Sequence, residues 1–147
     1  MPFEILHRAA PRRNVPVTFT LDVMELRAPN QSDLPALRTL LCSNGWAHRI
    51  GDDAWLAKLI GASRALVAIE EQQVVGFARA VTDGLSNGYL SMVVVSGEHR
   101  HHGIGSRLVR EITGADPGIT WVFRASRPGA REFFEHLGSG HRLRPWN

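Results

Sequence analysis

The chain has 147 residues, 44% of them hydrophobic, and 17 Lys and Arg against 14 Asp and Glu give it a formal charge of +3. That length supports one domain with a sizeable core, and the absence of an apolar run of about 18 residues argues against a membrane span. Cys42 is the only cysteine, which excludes an intrachain disulfide and fits a reducing, cytoplasmic setting. The start of the chain lacks the continuous apolar stretch of a secretory signal. Lys58 is the only lysine and the arginines are spread along the chain, so no nucleic-acid partner is expected despite the positive balance.

Residues 1–16 hold Pro2, Pro11 and Pro16 and the basic Arg8, Arg12 and Arg13, and are expected to form a flexible arm ahead of a domain spanning 17–147. Phe19, Leu21 and Val23 alternate with polar residues, the period of a half-buried strand running to about Arg27. Pro29 and Asn30 end it. Ser32 or Asp33 is placed to cap a helix carrying Pro35 in its first turn and Leu34, Leu37, Leu40 and Leu41 on one face. Cys42 then reads as a small, partly buried helix residue. A second helix is expected over 53–60, stopped by Gly61.

Residues 65–70 and 74–82 read as two strands of a hairpin joined by Glu71, Gln72 and Gln73. A turn at 83–87 leads to a strand over 89–95, the most continuous apolar run and therefore a central one. Ile104, Leu108 and Ile112 mark the next helix, broken at 114–118. Residues 119–124 form a fifth strand. Pro128 stands at a helix start, Ala130, Phe133, Phe134 and Leu137 recur at helical spacing, and 141–146 offer a last edge strand. The order β-α-α-β-β-β-α-β-α-β specifies an α/β fold with a single mixed, mostly antiparallel sheet and flanking helices.

The most informative stretch is 93–106, a β-branched run followed by a short glycine-bearing turn that opens a helix. Gly103 and Gly105 put no Cβ in the way of a ligand, so backbone N–H groups can converge on an anion where the helix carries roughly +0.5 charge. A phosphate or pyrophosphate is the natural guest. A P-loop would need a longer spacing and a Lys-Ser or Lys-Thr pair, and a dinucleotide fingerprint would need a third glycine where Leu108 stands.

Arg100-His101-His102-Gly103-Ile104-Gly105 resembles the Arg/Gln-x-x-Gly-x-Gly/Ala signature of the GNAT superfamily of acyl-CoA-dependent N-acetyltransferases. The order of elements from Val17 to Trp146 is similar to that fold. Residues 130–138, Ala-Arg-Glu-Phe-Phe-Glu-His-Leu-Gly, resemble the family's late helix, and 77–84 resemble the third strand and turn of small bacterial members. The resemblance implies acetyl-CoA as cosubstrate. The backbones of Val93, Val94 and Val95 would pair with the pantetheine arm as an added strand, and Arg100, His101, His102, Gly103, Ile104, Gly105 and Ser106 would form the pyrophosphate loop.

It further implies an N-acetyltransferase acting by direct attack of a primary amine, on a small molecule or a protein, with a homodimer through edge strands as a candidate assembly. A non-catalytic acetyl-CoA-binding regulatory domain is the alternative, because several family positions depart from pattern. Phe134 stands where many members carry the tyrosine that serves as acid, Met92 and Val122 where some place acidic residues, Arg127 for a frequent asparagine, and Gly97 for a frequent proline. The catalytic residues are therefore not assigned by resemblance. Tyr89, Asp83, Glu70 and Ser126 are the polar groups offered instead.

No metal is expected: His99, His101 and His102 lie in a tight loop without a matching Cys or carboxylate pair. They are expected to flank phosphate. CoA should then bind more tightly at pH 6 than at pH 8, because charged imidazoles attract the anion. Equal dissociation constants at the two pH values would refute this. The acceptor pocket is expected near residues 46–55.

Overall fold

A computed structural model describes residues 24–114, 116–124, 127–137 and 143–145. The expected arm over 1–16 and the beginning of the first strand lie outside the described residues. Six strands form one mixed sheet whose spatial order follows the chain: β1 (Glu25–Arg27), β2 (Arg64–Glu70), β3 (Gln73–Thr82), β4 (Asn87–Val95), β5 (Thr120–Phe123) and β6 (Leu143–Pro145). Neighbours from β1 to β4 are antiparallel, whereas β4 with β5 and β5 with β6 are parallel. Helices α1 (Leu34–Leu41) and α2 (Asp53–Gly61) separate β1 from β2, α3 (Ile104–Thr113) joins β4 to β5, and α4 (Ala130–His136) precedes β6. The α/β order read from the sequence is the order of the molecule.

The sheet is buried on both faces. Leu34, Leu37, Leu40 and Leu41 of α1 and Leu56 of α2 pack on Val67, Phe77, Met92 and Val94. On the other face Ile104, Leu108, Val109 and Ile112 of α3, with Leu137, cover Ala68, Ala78, Ala80, Leu90, Trp121 and Phe123. Consecutive residues such as Val67 and Ala68 enter opposite layers, as the two-residue period of a strand requires. Among the described residues no helix is long and apolar enough to cross a membrane.

Three local details differ from the sequence reading. The cap ahead of α1 is Asn30, whose side chain accepts from the Ser32 N–H while Asp33 reaches back to the Asn30 N–H at 2.7 Å, and a 3-10 turn (Gln31–Asp33) leads into the helix. Asp33 also takes both Nη groups of Arg27, at 2.7 and 3.0 Å. That bond, opposed by partial burial, holds its carboxyl below the usual range. The β2–β3 turn has only two residues, Glu71 and Gln72, both at positive φ (50° and 65°), the mirror-image turn that matches strand twist.

Cys42 is exposed rather than partly buried. The buried face of α1 is used by Leu34, Leu37, Leu40 and Leu41, so position 42 turns outward beside Arg38. A surface groove of about 600 Å³ lined by Pro35, Arg38, Thr39, Cys42, Ser43 and Asp53 runs over this solvent side and shares no residue with the glycine loop.

Candidate functional site

β4 pairs with β3 as far as Val95 opposite Gly76, but its parallel pairing with β5 stops at Leu90 opposite Phe123. Beyond that point no strand of the described residues pairs with the β5 side of β4. The Ser96 N–H donates to the Val75 carbonyl at 2.8 Å. Because antiparallel ladders alternate, Val94 and Met92 also turn their backbone groups toward β3, while Val93 and Val95 turn theirs toward the open side. A bulge precedes them: Arg79 faces Met92 and Ala80 faces Leu90, leaving Ser91 as the extra residue. The bulge moves Leu90 and Met92 to opposite faces of the sheet.

The open edge runs directly into the glycine loop. His101 (φ 66°) and Gly103 (φ 82°) adopt left-handed conformations, and Gly103 is the residue preceding α3. The two glycines have different tasks. A Cβ on Gly103 would meet nothing within 4 Å, so that position needs glycine for its φ and faces open space. A Cβ on Gly105 would stand 3.0 Å from the Phe133 ring, so its missing side chain serves the close approach of α4 to α3. The sequence reading had given both glycines to the ligand.

Arg100 donates from Nε to the Val95 carbonyl at 3.1 Å and from Nη2 to Asn44 Oδ1. Its guanidinium therefore ties the loop to the end of β4 and to the turn after α1. The same turn, kinked at Gly45 (φ 90°), receives Arg127 on the carbonyls of Asn44 and Gly45 at 3.2 and 3.1 Å. Arg127 also lies 4.0 Å from the centroid of the buried Trp46, over which Arg49 stands at 5.7 Å. His101, His102 and Gly103 are exposed, Ser106 is half-buried, and Ile104 packs into the core.

On the α1 and α2 face, beside the bulge, Arg79 donates from Nε to Ser63 Oγ at 2.8 Å and from Nη1 to Ser91 Oγ at 2.7 Å. Burial pushes its guanidinium below the ordinary value, Tyr89 acts in the opposite direction, and Arg49 lowers it further. Sequence reasoning missed this group. The available signal was a charged residue inside the otherwise buried run 75–80 of a central strand.

Among the other polar candidates, Asp83 and Glu70 make local contacts. Asp83 accepts from the N–H groups of Leu85, Ser86 and Asn87 and from Ser86 Oγ, bonds that hold its carboxyl far below the usual range and stiffen the β3–β4 turn. Glu70 lies 3.8 Å from His99 Nε2. Ser126 lies outside the described residues. Phe134 stacks on Phe123 with centroids 3.8 Å apart and meets Phe133 edge-on at 5.0 Å, at the point where β5 leaves β4. Met92 is buried and Val122 half-buried. Among the described residues no group of His, Cys, Asp and Glu is arranged to hold a metal.

The sheet's fourth and fifth strands part, and the glycine-bearing loop before α3 lies at the mouth of the gap. Residues 61–138 match the acetyltransferase (GNAT) domain family. The chain belongs to the GNAT acetyltransferases. The match takes in the hairpin, β4, the loop, α3, β5 and α4, the elements that build the site. Similar solved structures agree on the fold of this GNAT domain. A GNAT-family acetyltransferase from Streptococcus pneumoniae is 20% identical, with a TM-score of 0.64 over 80% of this chain and 86% of that one. An acetyltransferase of Trypanosoma brucei is 24% identical, with a TM-score of 0.64 over 84% and 97%. The PaiA N-acetyltransferase of Thermoplasma acidophilum, solved in complex with coenzyme A, is 15% identical, with a TM-score of 0.61 over 78% and 88%. No curated protein matches the sequence.

Proposed function

We propose that this GNAT acetyltransferase uses acetyl-CoA to acetylate a primary amine, on a small molecule or a protein, by direct attack. The observation that carries the reading is the β4 edge at Val93 and Val95, which no strand of the described residues pairs with on the β5 side and which leads straight into the loop before α3. An extended chain of amides suits such an edge, since it completes the ladder that β5 leaves unfinished. A diphosphate suits the loop, because the first N–H groups of α3 have no intrahelical acceptor and nothing stands within 4 Å of the Gly103 Cβ position. Both features fit CoA.

In this arrangement Val93 and Val95 offer backbone groups to the pantetheine arm, while Val94, buried against the opposite layer, fixes the strand. The backbone from His101 to Ser106 holds the pyrophosphate, with His101 and His102 exposed beside it. Arg100 spends its hydrogen bonds on Val95 and Asn44, so its task is to shape the loop. The thioester supplies an activated acyl carbon. The attacking amine forms the C–N bond and loses a proton, the C–S bond breaks, and the leaving sulfur takes a proton. Phe134 has no proton to give, so water is the donor and acceptor assigned to these transfers; a thiol of ordinary acidity leaves without strong assistance.

Calorimetric titration of acetyl-CoA and CoA into the purified protein tests the reading. Micromolar binding, followed by acetylation in an amine screen, is the expected result. Failure of the wild type to bind either ligand would overturn it, and binding without turnover on any amine would make the domain a sensor. Arg100→Ala should weaken CoA about tenfold, the scale of about 1.4 kcal/mol for losing exposed charge-assisted bonds that order the loop. An unchanged dissociation constant would show that the loop holds its shape without that tie.

A further inference from the structure

We infer that the acetyl acceptor carries a carboxylate, and that Arg79 is the residue that recognises it. The inference rests on the reading of β4 as the acetyl-CoA strand, and it names the class of amine this chain accepts: a small compound of amino-acid type.

Arg79 is half-buried in the sheet, yet among the described residues no carboxylate stands within ion-pair distance of it. Its partners are two neutral hydroxyls, Ser63 Oγ and Ser91 Oγ. A guanidinium has five N–H donors in a planar fork. Nε and Nη1 are committed here, which fixes the plane of the fork and leaves Nη2 for another acceptor. A charge withdrawn from water without a counter-charge is costly, so an anion in the functional complex is its natural complement.

The surroundings reinforce the sign. Among the described residues the charge that acts on the Arg79 guanidinium besides burial is a second cation, Arg49, while Tyr89, which neighbours the bulge in sequence, acts in the opposite direction. Arg49 belongs to the 3-10 turn Ala47–Arg49 between α1 and α2 and stands over Trp46. The two hydroxyl partners come from the turn between α2 and β2, Ser63, and from the bulge itself, Ser91. Arg79 is thus held beside Ser91, at the start of the strand edge assigned to the pantetheine, on the face covered by α1 and α2. A carboxylate on its fork puts the amine of the same small molecule next to β4.

The test compares each of phenylalanine, leucine, histidine and lysine with its decarboxylated amine, phenethylamine, isopentylamine, histamine and cadaverine. Acetylation with acetyl-CoA is read as kcat/KM, and binding of the same compounds to the CoA-loaded protein is read by calorimetry. The amino acid of at least one pair should exceed its amine at least tenfold in kcat/KM or affinity. In Arg79→Gln, which can still bond a serine hydroxyl, that preference should fall below twofold through KM, with acetyl-CoA affinity within twofold of wild type. Arg79→Lys, which keeps the charge but not the fork, should fall between.

Equal handling of both members of every pair would overturn the proposal. So would a preference that survives Arg79→Gln, or acceptance of acidic peptides with no response to any free amino acid. Acetyl-CoA titrated alone into the same protein separates the two levels: absent binding there defeats the cosubstrate reading, whereas intact binding without carboxylate preference defeats only the acceptor.

Discussion

Gly103→Glu is expected to raise the dissociation constant of acetyl-CoA at least a hundredfold, with the fold retained. Two costs coincide at this position. The backbone sits at φ 82°, where a residue with a Cβ pays about 1 kcal/mol. The side chain would also project into the open space over the first turn of α3, placing a carboxylate where the phosphates are proposed to bind. Gly103→Ala separates these costs, since it carries the backbone strain without bulk or charge, and should weaken binding less than tenfold. Calorimetry reads both variants, and a denaturant titration confirms that each remains folded. Equal losses in the two variants would mean that loop conformation alone governs affinity; no loss in either would remove the loop from the site.

Gly88→Ala should be the most damaging addition of a single methyl group, lowering stability by about 3 kcal/mol. A Cβ at Gly88 would overlap the six-membered ring of Trp121, which lies directly on the β4 backbone where the parallel β5 strand pairs with it. Trp121 has no room to retreat. It is buried among the α3-side residues, and Arg64 stands over its ring at 5.6 Å while donating to the Ile112 carbonyl. The change should appear as a lower denaturant midpoint with an unchanged slope. Gly61→Ala is the contrasting control: it adds the same methyl group with nothing within 4 Å and without positive φ, so it should not destabilise. A midpoint for Gly88→Ala equal to wild type would show that the ring moves aside freely.

Both predictions concern glycines, and the sequence alone could not have ranked them. Gly103 was legible because its place between an apolar strand and an amphipathic helix is a local pattern. Gly88 was legible only as part of a turn-to-strand boundary, because the ring that excludes a side chain comes from Trp121, 33 positions later in the register of β5. Gly105 shows the same limit from the other side. Its spacing from Gly103 suggested a ligand, and the structure adds a packing demand that the sequence did not show, the ring of Phe133 against its Cβ position.

The sequence by itself determined the order of elements, the helices flanking the sheet and the glycine-bearing loop between β4 and α3, because each depends on periods of two or 3.6 residues and on turn residues acting over a few positions. It also carried enough of the loop signature to indicate the family. The tertiary structure alone decided where β4 and β5 part, which valines turn their backbones to the opening, and that Arg100 and Arg127 converge on the turn at Asn44 and Gly45 from 56 and 83 residues away. It likewise decided that Cys42 faces solvent and that Arg79 meets two serines and, among the described residues, no acid. Such outcomes depend on register, on a one-residue bulge and on which helix face a sheet covers. Those are settled by packing between segments distant in the chain, where no short pattern records them.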